Sequence, residues 1–294
     1  MSTSRNLVVA VVVLAGTAIV NAADVVGVTV QNNIVTFNQA TPGTLISNLA
    51  VTGLNPGEQL LEIDLRPATG QIFGITSGNR VASIDPVTGI ATPFAAAFAP
   101  GLGNGRYSID FNPTVDRIRV VGTNTDNRRL NPNTGGSVVA SDTLLTINAS
   151  TNSPFIASTA YSNSLAGVLP GTTRQFVIDS RLALLGEVGS QAGGNASFNG
   201  GVIAFIGNLG FGMGILSENV GFDIFGPTGE AFVSLQVAGT SSSDFGTIDL
   251  NTGVFTGVGA VGGGVALRSL TVIPAPGAVA VLGLAGLLAA RRRR

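Results

Sequence analysis

The chain has no cysteine, histidine or tryptophan, and its fifteen basic residues are all arginine. Without histidine or cysteine there is no Ser-His-Asp or Cys-His pair, no thiolate nucleophile, no disulfide, and no ordinary zinc, haem or iron–sulfur ligand set. Carboxylate chemistry and an all-oxygen calcium site survive these exclusions. Charge is scarce, at 11% of 294 residues. A body of about 250 residues can hold together without disulfides, by core burial and sheet hydrogen bonds.

The net charge of −1 hides an asymmetry. Five arginines lie in the end segments, so the body keeps ten against sixteen acidic residues, a net of −6. That argues against nucleic acid as a partner, because backbone phosphates reward clustered positive charge.

Residues 1–23 carry Arg5, an apolar run from Leu7 to Val20, and then Val20-Asn21-Ala22, the small-residue pattern of a cleavage site. A signal peptide is expected, with the mature chain starting near Ala23 or Asp24; an uncleaved anchor and a buried strand are the other readings. At the far end Pro274 and Pro276 stop a strand, residues 277–290 are apolar, and Arg291, Arg292, Arg293 and Arg294 close the chain. As a helix those fourteen residues would span about 21 Å, short of a roughly 30 Å hydrocarbon core. Arginine beside such a segment suits a cytoplasmic membrane face.

This order of strand, Pro-x-Pro, short apolar segment and arginine cluster resembles the PEP-CTERM sorting signal of bacterial envelope proteins. The resemblance implies processing by an exosortase-type membrane enzyme during delivery to the surface or matrix. Ala275 stands where that family usually has Glu. A plain anchor and a packed helix are the alternatives for this segment.

Between the ends, short runs rich in Val, Ile, Phe and Leu alternate with Gly, Asn, Asp, Pro and Thr, the pattern of short strands joined by tight turns. Ala95–Ala97 is the one place where a brief helical turn is tempting, and Pro93 and Pro100 bound it. Asp64-Leu-Arg-Pro67-Ala-Thr-Gly70 matches Asp110-Phe-Asn-Pro-Thr-Val-Asp116, and Asp85-Pro86-Val-Thr-Gly89 matches Asn131-Pro132-Asn-Thr-Gly135, both at an offset of 46 residues. A looser copy runs from Asp223 to Gly229 and then from Asp249 to Gly253. Asp or Asn caps such a turn, Pro sets φ, and Gly takes the left-handed position.

A four-strand unit of this length is near that of a propeller blade. The expectation is an all-β, propeller-like ring over residues 24–273, with five units, or six on the other count. The last strand, Leu267–Ile273, is expected to pair with the first strands after the leader, Val25–Val30 and Ile34–Phe37. A β-sandwich or jelly roll and an open repeat stack are the competing architectures.

The same motifs resemble the bacterial family DUF4394, through Asp64 to Gly74, Ser83 to Gly89, Asp110 to Val121 and Asn127 to Gly135. The resemblance implies an exported propeller-like domain and names no biochemical role.

The most polar stretch holds Asp110, Asp116, Arg117, Arg119, Asp126, Arg128 and Arg129. It reads as an ion-pair and turn network, with a binding patch for glycan or protein, a metal site and catalysis as further readings. No segment matches a calcium loop, D-x-[DN]-x-[DN]-G-x₅-E, so no cofactor is expected and calcium has only the scattered carboxylates. Asp64, Asp110 and Asp223 occupy equivalent repeat positions, as structural caps would. The functional expectation is a non-enzymatic envelope or matrix protein whose partners are the export machinery and surface polysaccharide or envelope proteins, with membrane contact through the tail. The alternative is a carboxylate-dependent glycan hydrolase.

Overall fold

The computed structural model describes residues 23–136, 138–189 and 197–274. The expected leader up to Ala22 and the expected tail beyond Pro274 lie outside the described residues.

The first sheet contains β1 (Ala23–Thr29), β2 (Asn33–Asn38) and β3 (Leu45–Ala50). The second is β4 (Leu60–Arg66), β5 (Gln71–Thr76), β6 (Val81–Asp85) and β7 (Ile90–Pro93), and the third β8 (Tyr107–Asn112), β9 (Arg117–Gly122), β10 (Asn127–Leu130) and β11 (Val138–Ser141). Next come β12 (Thr146–Ile147), β13 (Ile156–Tyr161), β14 (Gln175–Asp179), β15 (Leu184–Val188) and β16 (Val202–Asn208). They form the fourth sheet, in which β12 adds a parallel edge to β16. The fifth sheet is β17 (Leu216–Phe225), β18 (Glu230–Val237), β19 (Asp244–Ile248) and β20 (Phe255–Ala260). The last strand, β21 (Leu267–Pro274), returns to the first sheet and pairs antiparallel with β1, from Ala23 opposite Pro274 to Val28 opposite Ser269.

Strands β4, β8, β13, β17 and β21 are the innermost of their sheets, and each packs on the next until β21 meets β4. The protein is therefore a five-bladed β-propeller, closed by pairing its first and last strands. Closure covers the apolar faces that the terminal blades of an open stack leave exposed.

Five apolar clusters fill the five interfaces between neighbouring sheets. Val25, Val35 and Phe37 face the fifth sheet, at Phe232 and Phe245, whereas Val26, Val28 and Ile34 face the second, at Ile63 and Ile72. The inner strands of each blade thus bury both faces, as in β8 and β13, which are buried throughout, whereas outer strands such as β3 and β20 alternate or lie largely exposed.

The repeated turns close as their sequences require. Gly70 at φ 69° donates to Arg66 O at 2.8 Å, and Gly253 at φ 81° to Asp249 O at 2.7 Å. Asp116 takes the left-handed position where the first copy has Gly70, at φ 50°. No helix forms at 95–97; the helical turns among the described residues are 3₁₀, at Phe198–Gly200 and Val261–Gly263. Among the described residues no helix is long and apolar enough to cross a membrane.

Candidate functional site

The inner strand of a blade is hydrogen-bonded along one edge only, so the amides on its axial edge need other acceptors. Asp64 of β4 accepts the amide of Phe111 on β8 at 2.7 Å. Asp110 of β8 accepts the amide of Tyr161 on β13, Asp223 of β17 that of Val272 on β21 at 2.7 Å, and Thr271 of β21 that of Leu65 on β4 at 3.1 Å. In every case the side chain serves the next blade, at the residue following the matching position. The fourth blade has Ala160 there and cannot; the amide of Ile224 turns instead to its own neighbour, Asp223 Oδ1, at 2.6 Å. Two residues earlier the rule repeats with hydroxyls: Ser269 accepts from Ile63 N at 3.0 Å and Ser108 from Thr159 N at 3.2 Å.

This arrangement draws three carboxylates of the same repeat position onto the axis. Asp64, Asp110 and Asp223 are buried, and each offers an oxygen within 4.8 Å of the others. Burial raises all three above the usual carboxylate range, and mutual repulsion pushes Asp64 and Asp110 further. Chemically the cluster has two options: to share protons, or to hold one hard divalent cation on oxygen ligands. The space beside it is a cavity of ≈ 40 Å³ lined by Asp64, Asp223, Ser164, Phe225 and Pro274. That suffices for an occupant the size of water or an ion. A wider groove of ≈ 670 Å³ adjoins it through Leu65, Ala166 and Pro274, and its walls include Ile72, Ile84, Ile90 and Ile273 beside the polar Gln71, Ser83, Asp85 and Thr92.

At the opposite end of the axis Glu62 lies buried, 3.4 Å from Arg106. Burial pushes its carboxyl up to about 8, outweighing the pull of Arg106, Ser269 and Arg268. Arg106 and Arg268 are otherwise held by neutral acceptors: Arg106 donates to Arg268 O at 2.6 Å, and Arg268 to Val30 O at 2.7 Å.

The model of the family described as a domain of unknown function, DUF4394, matches residues 33–271, which takes in all five blades and omits only β1 and the end of β21. The chain belongs to the DUF4394 family. No curated protein matches it. Among solved structures, it is similar to a chain of hydrazine synthase from Kuenenia stuttgartiensis, at 15% identity and TM-score 0.39 over 74% of this chain and 51% of that one. A protein from Lactobacillus plantarum is similar at 14% identity and TM-score 0.37, over 82% and 67%. A chain of the nidogen/laminin complex is similar at 9% identity and TM-score 0.42, over 85% and 98%. The DUF4394 chain spans about half the length of the hydrazine synthase chain.

The polar stretch read from the DUF4394 motifs is distributed over several places. Asp110 goes to the axis. Asp116 pairs with Arg66, whose guanidinium also reaches Asn133 Oδ1 at 2.6 Å. Arg117 bonds the Asp116 carbonyl at 2.9 Å. Arg119 is 1% exposed and is held by Asp142, Tyr161 Oη at 3.1 Å, Asn127 Oδ1 at 2.9 Å and Asn199 Oδ1 at 2.8 Å. Arg129 shares Asp142 with it at 2.9 Å, while Arg128 pairs with Asp126 and reaches Pro100 O at 2.6 Å. Asp142 and Glu62 carry this chemistry without belonging to any repeated motif. The turn residues Pro67, Gly70, Asp85, Pro86 and Gly89 sit at the end of the ring where Pro274 emerges; Gly70, Asp85, Pro86 and Pro274 line the same groove. Of the residues of the expected sorting signal, Pro274 ends β21, and Ala275, Pro276 and Arg291–Arg294 lie outside the described residues.

Proposed function

We propose that this DUF4394 chain is a non-enzymatic module exported to the cell envelope or extracellular matrix, where its rigid ring engages surface polysaccharide or envelope proteins. The observation that carries the reading is the pairing of Ala23 with Pro274. The residue at the expected leader cut and the residue where the tail begins are neighbours on one sheet, so both membrane-directed segments leave from one end of the ring. Delivery by the export machinery, followed by an exosortase-type enzyme acting on the tail, suits that geometry.

A glycan hydrolase needs two carboxyls flanking a sugar, about 5–10 Å apart in a cleft that admits it. Here the axial carboxylates are committed to backbone amides, and the ≈ 40 Å³ beside them has no room for a sugar ring. The binding reading accordingly stands ahead of the hydrolase.

The test is localisation and intact mass of the secreted chain, wild type against a chain ending at Pro274. The expected result is a wild-type N-terminus at Ala23 or Asp24 and retention at the surface, with the shortened chain released to the medium. A wild-type chain that keeps Met1, or surface delivery unaltered by the deletion, overturns the reading.

A further inference from the structure

We propose that the groove beside Pro274 is the docking site of the chain's own apolar tail, residues 277–290. Its ≈ 670 Å³ is walled by Leu65, Ile72, Ile84, Ile90 and Ile273, with Pro274 itself part of the wall. The tail therefore starts inside the groove. Ile90 is 46% exposed although it belongs to a strand. The loop holding Ala166 in the groove, pinned by Gly167 N to Pro67 O at 2.9 Å, adds Val168 and the 70% exposed Leu169 to the same apolar end.

The tail supplies what these residues lack. Its fourteen residues from Gly277 to Ala290 include no polar side chain, and burying them recovers about 25 cal/mol for each Å² of apolar surface removed from water. The groove rim carries Asp85, exposed and held below the usual carboxylate range by Thr88 and the Val87 amide, so it stays anionic toward the four terminal arginines. Tethering does the rest: a segment joined at the wall meets the groove at an effective concentration of about a millimolar. Docking keeps the apolar segment out of water until a membrane or a processing enzyme takes it. The inference concerns the purified chain and stands apart from where that chain is delivered.

The absence of native cysteine allows a direct test. In the full chain Ile90→Cys is combined in turn with Val281→Cys, Leu284→Cys and Leu288→Cys, and oxidised at low protein concentration. A second anchor, Leu169→Cys, guards against a local effect at Ile90, and Val115→Cys, 51% exposed on the β8–β9 turn at the same end of the ring but outside the groove, is the control. Docking gives an intramolecular disulfide at monomer mass from Ile90 or Leu169, in yield about tenfold above the Val115 pairs, since all three anchors share the tether to the tail and only the first two lie where a docked tail is held. Equal yields from all three anchors overturn the proposal. Disulfide-linked dimers overturn it in favour of a second copy. Groove pairs that match the control, with the tail partitioning into phosphatidylglycerol vesicles, overturn it in favour of a membrane.

Discussion

Glu62 makes the stability of the ring depend on pH in an unusual sense. Its carboxyl is raised to about 8 in the fold from an ordinary value of 4.5. The folded chain therefore holds a proton that the unfolded chain has released, and stability falls with rising pH wherever the native state binds more protons. The contribution is complete below about pH 4.5 and is lost as pH climbs through about 8. A difference of about 3.5 pH units at 1.36 kcal/mol each comes to about 5 kcal/mol, a large share of the roughly 5–15 kcal/mol that keeps a domain folded. Asp64, Asp110 and Asp223 shift in the same direction and steepen the fall. Urea denaturation at pH 5, 6, 7 and 8 should show wild-type stability declining steadily, and Glu62→Gln should decline less by about 4 kcal/mol over those three units. A wild-type profile that is flat or rises, or parallel profiles for the two proteins, refutes the argument. Repeating the Glu62→Gln series with calcium separates the two states of the axial cluster: a flattened slope assigns it a cation, an unchanged slope assigns it protons.

Two further substitutions test the side-chain networks. Asp64→Ala removes the acceptor of the buried Phe111 and Leu65 amides and should cost about 1–3 kcal/mol, whereas Asp64→Asn keeps one acceptor oxygen and sets its NH2 against the other amide, so it should cost a part of that; an Asp64→Ala loss below about 0.5 kcal/mol in chemical denaturation would refute the amide-acceptor role. Arg119→Ala leaves Asp142 with only the half-buried Arg129 and should cost roughly 3–5 kcal/mol, read by thermal unfolding; a loss under about 1 kcal/mol, the value of an exposed pair, would make Arg119 a surface residue in energetic terms.

Much of the ring was legible in the sequence because its turns repeat. The 46-residue offset carries β5 at Gln71–Thr76 onto β9 at Arg117–Gly122, and the closing strand was readable as an apolar run after the last glycine cluster. The fourth blade was legible only as a worn unit, since the loop between β13 and β14 replaces the Pro-Thr-Gly turn. Asp64, Asp110 and Asp223 were legible as equivalent caps, but their convergence was not, because the repeat marks equivalence and leaves open which strand of each unit is innermost. Positions separated by a fixed offset along a chain are distant in an open stack, but in a closed ring they meet at the axis. A signal was present in Ile63-Asp64-Leu65, Ile109-Asp110-Phe111 and Phe222-Asp223-Ile224, where an acid is set between two large apolar residues. Conversely, the dense charge between Asp110 and Arg129 looked like one patch because adjacency in sequence says nothing of which blade edge a side chain serves.

The seam between β1 and β21 fixes when the molecule can become itself. Val26 waits for Thr271, 245 positions further along, so a chain emerging from its N-terminus has a first blade without its innermost strand until almost everything else has been made. Contacts this remote form late and slowly, and in the interval β1 shows a free edge to any neighbouring chain. The seam is consequently the last part of the ring to close, and a chain without its final strand leaves that edge of β1 unpaired.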